Sequence, residues 1–369
     1  MRLSRVAGLM AAAAIVVGAC GSSSATPTAA APTTAASAAA PSTAASAAAP
    51  STAASAAAPS AAGGKPLFVA INKAADQQYF IDLQTAFVDT ITKLGGDAAK
   101  FDAKAEAPLG VSLVNDAISK GAKGIAITVP DQSIGPAIAT AAKAANVALV
   151  ATDDPIKDAA GAAIPFVGFD GTDMGTKVGV EAAKLLTDGG WLKDTSKKVG
   201  VLSIEKQDLT VCNQRTDAAK AEVGKAGVTA AAIYPVASDA TVAGSQSAAA
   251  PVITAHPDVT NWVVFGCNDE SVLGGLNALA AAGAKPDSII GVGLGAYEAC
   301  RPWAASQPTG FKAALYISGT DVGNAAAQAL WDNVVKGVAL PAATVAKTTI
   351  VDPTTYATTF SAASLAACK

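Results

Sequence analysis

Histidine is nearly absent from this chain, which has 1 in 369 residues, and aromatic residues make up only 5%. Zinc sites and catalytic triads use histidine as a ligand or a base, so both are poor explanations here. Charges are few and almost balanced, with 26 Lys and Arg against 29 Asp and Glu and a formal charge of −3. That composition lacks the basic footprint of a nucleic-acid-binding protein. We therefore expect no metal, no cofactor and no nucleic acid partner.

The first twenty residues are built like an export signal. Arg2 and Arg5 precede an apolar run over 6–17, which is shorter than the roughly 20 residues needed to span a bilayer. The small residues before Cys20 resemble a bacterial lipobox. We predict that 1–20 is a lipoprotein signal peptide and that Cys20 is lipidated, which anchors the protein to the outer face of the cytoplasmic membrane. The alternative is ordinary signal cleavage nearby, with Cys20 removed or unmodified.

Residues 21–64 consist almost entirely of Ala, Ser, Thr and Pro. A nine-residue unit begins at Pro41 and again at Pro50, with a variant at Pro32. A segment without charged or aromatic residues, and with regularly spaced prolines, can neither bury a core nor continue a helix. We predict a disordered tether that holds the folded part away from the membrane.

Residues 65–369 alternate short β-branched runs with amphipathic stretches. The run over 67–71 is followed by apolar residues at helical spacing from Phe80 to Leu94, which is typical of a strand and its crossover helix. A helix is predicted over 134–145. Further strands are predicted over 124–129, 147–152, 199–204, 230–234, 262–265 and 289–294. This α/β pattern predicts two lobes, each a parallel sheet flanked by helices.

Polar side chains follow several of these strands, where open parallel sheets bind their ligands. They are Lys73, Thr128, Asp131, Asp153, Asp154, Asn268 and Asp269, with Tyr79 and Phe80 nearby. Such a mixture of donors, acceptors and flat rings suits a small polyhydroxylated molecule.

Several short motifs occur in order along 65–369. They include Lys-Ala-Ala-Asp-Gln-Gln-Tyr-Phe at 73–80, Pro-Asp at 130–131, Asp-Asp at 153–154, Gly-Cys-Asn-Asp at 266–269 and Thr-Gly-Phe at 309–311. Their order and spacing together resemble the sugar-binding proteins of bacterial ABC importers, the type I periplasmic binding proteins, and most closely their arabinose-binding members. The resemblance implies a clamshell of two lobes joined by three hinge crossings. The N-terminal lobe would comprise 65–172 plus 318–346, and the C-terminal lobe 173–317 plus 347–369.

The resemblance also implies which residues contact the ligand. The positions that match the family's contacts are Lys73, Tyr79, Phe80, Asp153, Asp154, Arg215 and Asn268. We favour Asp154 over Asp153 as the ligand contact, and we expect Arg215 in the first turn of a helix. The plainer alternatives are core positions for the two aromatic residues and an N-cap role for Asn268, before a helix that begins at Ser271.

The chain departs from the family's pattern at several of these positions. Gln77, Tyr79, Thr128 and Glu298 stand where the family has glutamate, tryptophan, cysteine and aspartate, and Gly295 stands where it has asparagine. Phe169, with Asp170, offers an alternative contact beside the first crossing. Losing an indole and an amide weakens the case for the same pyranose, so an acyclic polyol rivals a pentose such as arabinose as the ligand.

The resemblance implies that a monomeric binding protein delivers its ligand to a membrane permease and its ATPase. A second hypothesis is a sensor that presents the same ligand to a membrane receptor. An exported carbohydrate-active enzyme is remote, because glycoside hydrolysis needs paired carboxylates across the scissile bond, and Asp153 and Asp154 are neighbours on one lobe.

Four cysteines follow Cys20, and in an exported protein four cysteines predict two disulfides with three possible connectivities. Cys212 and Cys267 both lie at strand-to-helix junctions, while Cys300 and Cys368 would tie the C-terminal tail to the second lobe. We favour these two pairs over free buried thiols. A zinc site is a poor alternative because the spacings contain no Cys-x-x-Cys pair.

Overall fold

The structure is a computed structural model and describes residues 64–369. The predicted signal peptide, Cys20 and the tether as far as residue 63 lie outside the described residues. The strands and helices are, in chain order, β1 (Leu67–Asn72), α1 (Gln78–Leu94), β2 (Asp97–Asp102), α2 (Ala107–Ser119), β3 (Ala122–Ile127), α3 (Gly135–Ala144), β4 (Ala148–Thr152), β5 (Phe166–Gly168), α4 (Gly171–Asp188), β6 (Val199–Glu205), α5 (Thr210–Lys225), β7 (Ile233–Ala237), α6 (Val242–Ala255), β8 (Asn261–Gly266), α7 (Asp269–Ala281), β9 (Ile289–Gly295), α8 (Tyr297–Ala304), β10 (Phe311–Tyr316), α9 (Gly319–Lys336), β11 (Ala343–Val345), β12 (Thr349–Val351), α10 (Tyr356–Thr359) and α11 (Ala362–Ala366).

The strands of residues 64–369 form two six-stranded sheets, one in each lobe. Their orders are β11-β5-β4-β3-β1-β2 and β12-β10-β9-β8-β6-β7. All neighbouring strands in the first sheet are parallel, and in the second only the β10–β12 pair is antiparallel. The predicted α/β fold with two sheets of mainly parallel strands is confirmed.

The central strands are continuous apolar runs because helices cover both faces of each sheet. Every residue of β8 and β9 is buried, and β1 is buried from its second residue on. Helix α1 turns Phe80, Leu83, Phe87 and Ile91 toward the sheet. The strand predicted over 230–234 is partly wrong, since 230–232 form a 3-10 turn and β7 begins at Ile233.

The chain passes between the two sheets three times, after β5, after β10 and after β11. These passages lie between Gly168 and Gly171, between Tyr316 and Gly319, and between Val345 and Thr349. The carboxyl ends of strands from both sheets meet at the cleft between the lobes, where the ligand of such a fold is expected. Within residues 64–369, no helix is both long enough and apolar enough to cross a bilayer.

Two glycine pairs set how closely the helices next to the cleft pack. A Cβ on Gly175 in α4 would overlap the backbone of Arg215 in α5, and one on Gly179 would overlap Ala219. In the other lobe, a Cβ on Gly319 in α9 would overlap the carbonyl of Tyr79, and Gly323 meets Leu83 in the same way. Each pair therefore seats the helix that carries a candidate ligand contact.

Candidate functional site

A cavity of about 300 Å³ lies between the two lobes. That volume is at the lower end of the range for small-molecule pockets. The first lobe contributes Lys73, Ala74, Gln77, Tyr79, Phe80, Ala105, Pro130 and Asp153 to its wall. The second lobe contributes Lys206, Leu209, Arg215, Asp239, Ala240, Thr241, Cys267, Asn268, Asp269, Glu270, Leu294, Gly295 and Tyr297, and Ile317 comes from the second crossing.

Lys73 and two aspartates form the charged part of the first lobe's wall. The Lys73 Nζ donates to Asp154 Oδ2 at 2.6 Å and lies 3.7 Å from Asp153 Oδ2. Asp153 adopts a left-handed φ of 59°, which turns the chain sharply after β4. As a result Asp153 lines the cavity, whereas Asp154 is fully buried behind it. Burial raises the pKa of Asp154, and the adjacent Lys73 opposes that rise.

An aromatic pair on α1 forms the flat part of the same wall. The rings of Tyr79 and Phe80 meet edge to face with centroids 5.0 Å apart, and Lys73 Nζ lies 5.3 Å from the Phe80 centroid. Both residues are buried, so their rings pack in the hydrophobic core and also form part of the cavity wall. Burial, aided by the Asp153 carboxylate, raises the pKa of Tyr79 well above its usual value. The phenol therefore stays protonated and can donate a hydrogen bond.

Arg215 is the buried cation of the second lobe's wall, with 5% of its surface exposed. It lies in the second turn of α5 because that helix begins at Thr210, so its predicted place in the first turn is wrong. Its Nη1 donates to the Cys267 carbonyl at 3.0 Å. Its Nη2 lies 3.7 Å from Asp153 Oδ1, across the cleft. The Arg215 guanidinium thus bonds the backbone of its own lobe and faces a carboxylate of the other lobe.

Asn268 and Asp269 each use a side-chain oxygen to cap a helix. Asn268 Oδ1 accepts from the Ser271 amide at 3.0 Å and caps α7, which begins at Asp269 and not at Ser271. Asn268 is therefore an N-cap through its side-chain oxygen, and it also lines the cavity. Asp269 Oδ2 accepts from the amides of Glu298 and Ala299 at the start of α8.

Burial raises the pKa of two neighbouring carboxyl groups on α7. The pKa of Asp269 is raised to about 6 by burial, although backbone amides donate to it. The pKa of half-buried Glu270 is raised to about 8 by burial and by the charge of Asp269. Both groups line the cavity, and a carboxyl whose pKa is raised can, while protonated, donate a hydrogen bond as well as accept one.

Polar atoms without protein partners converge on this cavity. Buried side-chain atoms that have no hydrogen-bond partner within residues 64–369 include Tyr79 Oη, Asp153 Oδ1, Arg215 Nε and Nη2, and Asp269 Oδ1, and all four residues line the wall. Buried polar groups are normally satisfied, because an unmade hydrogen bond costs free energy. The set contains donors and acceptors from both lobes, as a molecule rich in hydroxyl groups requires.

The structure brings seven of the predicted contacts together in the cavity wall and places four outside it, namely Asp154, Thr128, Phe169 and Glu298. Of the two aspartates it is therefore Asp153, and not the favoured Asp154, that lines the cavity. The wall holds Lys73, Gln77, Tyr79, Phe80, Asp153, Arg215 and Asn268. Thr128 is buried and its hydroxyl pairs with that of Thr152 at 2.7 Å. Phe169 packs behind Tyr79, with centroids 6.2 Å apart. Glu298 pairs with Arg301 on α8, beside a separate surface cavity, and it is not among the described residues that line the cavity between the lobes.

Tyr297 is the main wall residue that the sequence analysis missed. It lies two residues beyond the end of β9, so the strand-end rule that singled out Lys73 and Asn268 would also have found it. The same rule would have found Lys206, which follows β6, and Asp239, which follows β7. At two other strand ends the side chains cap the next element: Asp170 caps α4, and Asp131 caps the 3-10 turn over 132–134.

Two disulfides lie in the second lobe. Cys212 pairs with Cys267, with Cα atoms 4.7 Å apart, and Cys300 pairs with Cys368 at 5.3 Å. This is the favoured pairing. The first disulfide joins the first turn of α5 to the end of β8, where the Cys267 carbonyl accepts from Arg215, and belongs to a small apolar cluster with Leu209, Val211 and Ala240.

Comparison with known proteins gives concordant matches. A family model described as periplasmic binding protein domain matches residues 68–340. An ABC transporter L-arabinose-binding periplasmic protein of Azospirillum brasilense is 33% identical over 280 residues, which is 74% of this chain and 82% of that protein. The L-arabinose-binding periplasmic protein of Escherichia coli strain K12 is 30% identical over 235 residues, which is 63% of this chain and 70% of that protein.

Among solved structures, an ABC transporter solute binding protein from Mycobacterium smegmatis with bound glycerol superposes with a TM-score of 0.66. Its sequence identity is 23%, and the match covers 80% of this chain and 96% of that chain. At this identity the likeness is one of fold. It confirms the predicted two-lobed α/β class.

Proposed function

Because the chain belongs to the periplasmic binding protein domain family, we propose that its cleft captures one small sugar or polyol for an ABC importer. The two curated relatives are named for L-arabinose, which makes a pentose the first ligand to test. The protein would pass its closed, loaded form to a permease and the associated ATPase. Its relatives are binding proteins, and we propose that this chain likewise leaves its ligand chemically unchanged.

This proposal rests on the buried polar atoms of the cavity wall that have no hydrogen-bond partner among the described residues. Arg215 Nε and Nη2 are obligate donors, Asp153 Oδ1 accepts, and the Tyr79 hydroxyl can do either. A sugar hydroxyl also donates and accepts, so several hydroxyls on one small molecule would satisfy atoms of both lobes at once. Binding would then stabilise the closed arrangement of the lobes.

An acyclic polyol remains the second candidate within the same class. Gly295 lines the wall and has no side chain, so the cavity has room at the position where the arabinose-binding members of the family have an asparagine amide. Tyr79 presents a smaller face than the family's indole. Because of both features, the cavity depends less on a rigid pyranose ring to fill it. The solved relative from Mycobacterium smegmatis holds glycerol, which is an acyclic polyol.

The family places the protein outside the cytoplasm, and we propose that Cys20 carries the lipid that holds it at the membrane. We also propose that it acts as a monomer, because one lobe pair encloses the cavity. A sensor that presents the same ligand to a receptor would have the same cleft. Loss of uptake in a strain without the protein supports import, whereas intact uptake with a lost transcriptional response supports sensing.

The test is a thermal-shift screen of the full-length protein in detergent against pentoses, hexoses and four- to six-carbon polyols, followed by calorimetry. A ligand that binds only the native state raises the melting temperature. Arg215→Ala should weaken binding of a hit by about 1.5–3 kcal/mol, the scale of a lost charged hydrogen bond. The matched control is Arg301→Ala, since Arg301 is an exposed arginine that pairs with Glu298 on its own helix.

Binding by the control and not by Arg215→Ala supports the proposed cleft. Equal affinity in both variants, or no thermal shift with any sugar or polyol, contradicts it. Recovery of the bound compound unchanged after long incubation distinguishes capture from turnover.

A further inference from the structure

Gln132 joins the two lobes at a point outside the cavity. It lies in the short 3-10 turn Gln132–Ile134 of the first lobe, and its Nε2 donates to the Pro155 carbonyl of the same lobe at 2.5 Å. Its Oε1 accepts from the Thr210 amide of the second lobe at 3.0 Å. Gln132 is not among the residues of 64–369 that line the cavity, so this contact needs no ligand atom.

The Thr210 amide is the first N–H of α5 and needs an acceptor from outside its own helix. The first four amides of a helix have no intrahelical partner. Leu209 occupies the N-cap position, and a leucine side chain contains no acceptor. Gln132 therefore supplies an acceptor for the first amide of α5 from the opposite lobe.

The geometry prepares Gln132 for this role before the lobes meet. Its amide nitrogen is held by Pro155, three residues beyond the end of β4, so the oxygen is already directed away from its own lobe. Separation of the lobes would break the bond to Thr210 and leave the bond to Pro155 intact. The contact thus lowers the free energy of the closed arrangement alone.

We infer that Gln132 is an affinity-determining residue that acts through lobe closure and does not touch the ligand. A bond made only in the closed arrangement raises the closed population, and apparent affinity follows the population of the binding-competent state. Removing it should speed ligand release more than it slows capture, because release requires the lobes to open. This inference extends the proposed capture of a sugar or polyol.

The test uses Gln132→Met, which keeps the length of the side chain and removes its amide. Gln328→Met is the matched control, since the Gln328 amide of α9 bonds Asp332 within one lobe. In stopped-flow experiments with L-arabinose, Gln132→Met should raise the dissociation rate about three- to tenfold, the range of a lost helix cap, with a nearly unchanged association rate. The control should match the unmodified protein in both rates. Equal dissociation rates in all three proteins would overturn the inference.

A second readout separates this inference from the proposed function. Hydrogen exchange at the Thr210 amide is measured without ligand and with saturating L-arabinose, and it should be faster in Gln132→Met than in the control wherever the lobes are closed. Faster exchange without any L-arabinose binding would support the interlobe cap and count against arabinose as the ligand. Unchanged exchange in both conditions would overturn the cap even if arabinose binds.

Discussion

Arg215 and Asp153 face each other across the cleft, with Nη2 and Oδ1 3.7 Å apart. At this distance the opposite charges of the two lobes attract each other, but the two atoms are too far apart for a hydrogen bond. Both atoms have no hydrogen-bond partner among the described residues, and both residues line the cavity. The pair is therefore poised to be bridged by a hydroxyl group that accepts from the guanidinium and donates to the carboxylate.

The two adjacent aspartates should differ in their effect on binding. Asp153→Asn removes the carboxylate that lines the cavity, whereas Asp154→Asn changes a group that is buried behind it against Lys73. We expect Asp153→Asn to weaken binding of a sugar or polyol hit by about 1.5–3 kcal/mol and Asp154→Asn to weaken it less. Calorimetry on the two variants checks this order. A larger loss for Asp154→Asn would restore that residue as the direct contact.

The hydroxyl of Tyr79 should favour binding at the expense of stability. Tyr79→Phe removes a buried hydroxyl that has no partner within 64–369, so the unliganded protein should melt at the same temperature or higher. Ligand affinity should fall, because the hydroxyl is available to the ligand. Tyr316→Phe is the control, since its hydroxyl pairs with Ser364 at 3.0 Å and its loss should lower the melting temperature. A marked destabilisation by Tyr79→Phe would contradict the assignment.

The Cys212–Cys267 disulfide should support affinity as well as stability. It braces the turn of α5 that leads to Arg215, and Arg215 bonds the Cys267 carbonyl. We expect serine replacement of both cysteines to raise the dissociation constant. In an Arg215→Ala background the same replacement should add little, because the two changes act on one contact.

The second disulfide provides the control for this prediction. The sequence separations are 55 and 68 residues, so loop closure assigns each bond about the same stabilisation, about 4 kcal/mol. Serine at Cys300 and Cys368 should therefore lower the melting temperature similarly but leave affinity unchanged. Equal losses of affinity for both pairs would indicate that affinity falls because the whole fold is less stable, and not because Arg215 is displaced.

Glu270 should make the folded state less stable as the pH rises. Its pKa is raised from 4.5 to about 8, so the native state holds a proton that the unfolded chain releases above pH 4.5. The free energy of unfolding consequently falls as the pH rises through this window. Glu270→Gln should melt higher than the unmodified protein at pH 8–9 and almost equally at pH 4. Thermal melts across this range check it, and parallel pH curves for the two proteins would refute it.

Much of the candidate site was predictable because it sits at strand ends. Lys73 and Asn268 follow buried apolar strands, β1 and β8, whose carboxyl ends must meet at one edge of a sheet. Arg215 was found through the family resemblance alone, because its helix has a weak apolar pattern. Glu298 was also taken from a motif match, and such a match says nothing about Arg301 three residues later, which pairs with Glu298 outside the cavity wall.

The edges of the sheets were harder to predict than their centres. Strand β2 is Asp-Ala-Ala-Lys-Phe-Asp, half exposed at an edge, and it lacks the continuous apolar run of a central strand. Strands β5, β11 and β12 have three residues each, which is too short for the alternation of apolar and polar residues to be recognised.

The sequence by itself determined the two parallel α/β lobes, because buried central strands need continuous apolar residues and their crossover helices need one apolar face. Only the tertiary structure decided which aspartate faces the cavity, since one left-handed residue after β4 sets that direction. It alone also decided that Gln132 caps a helix 78 residues away. Contacts between lobes depend on how two finished sheets meet, and no local pattern in the chain records that geometry.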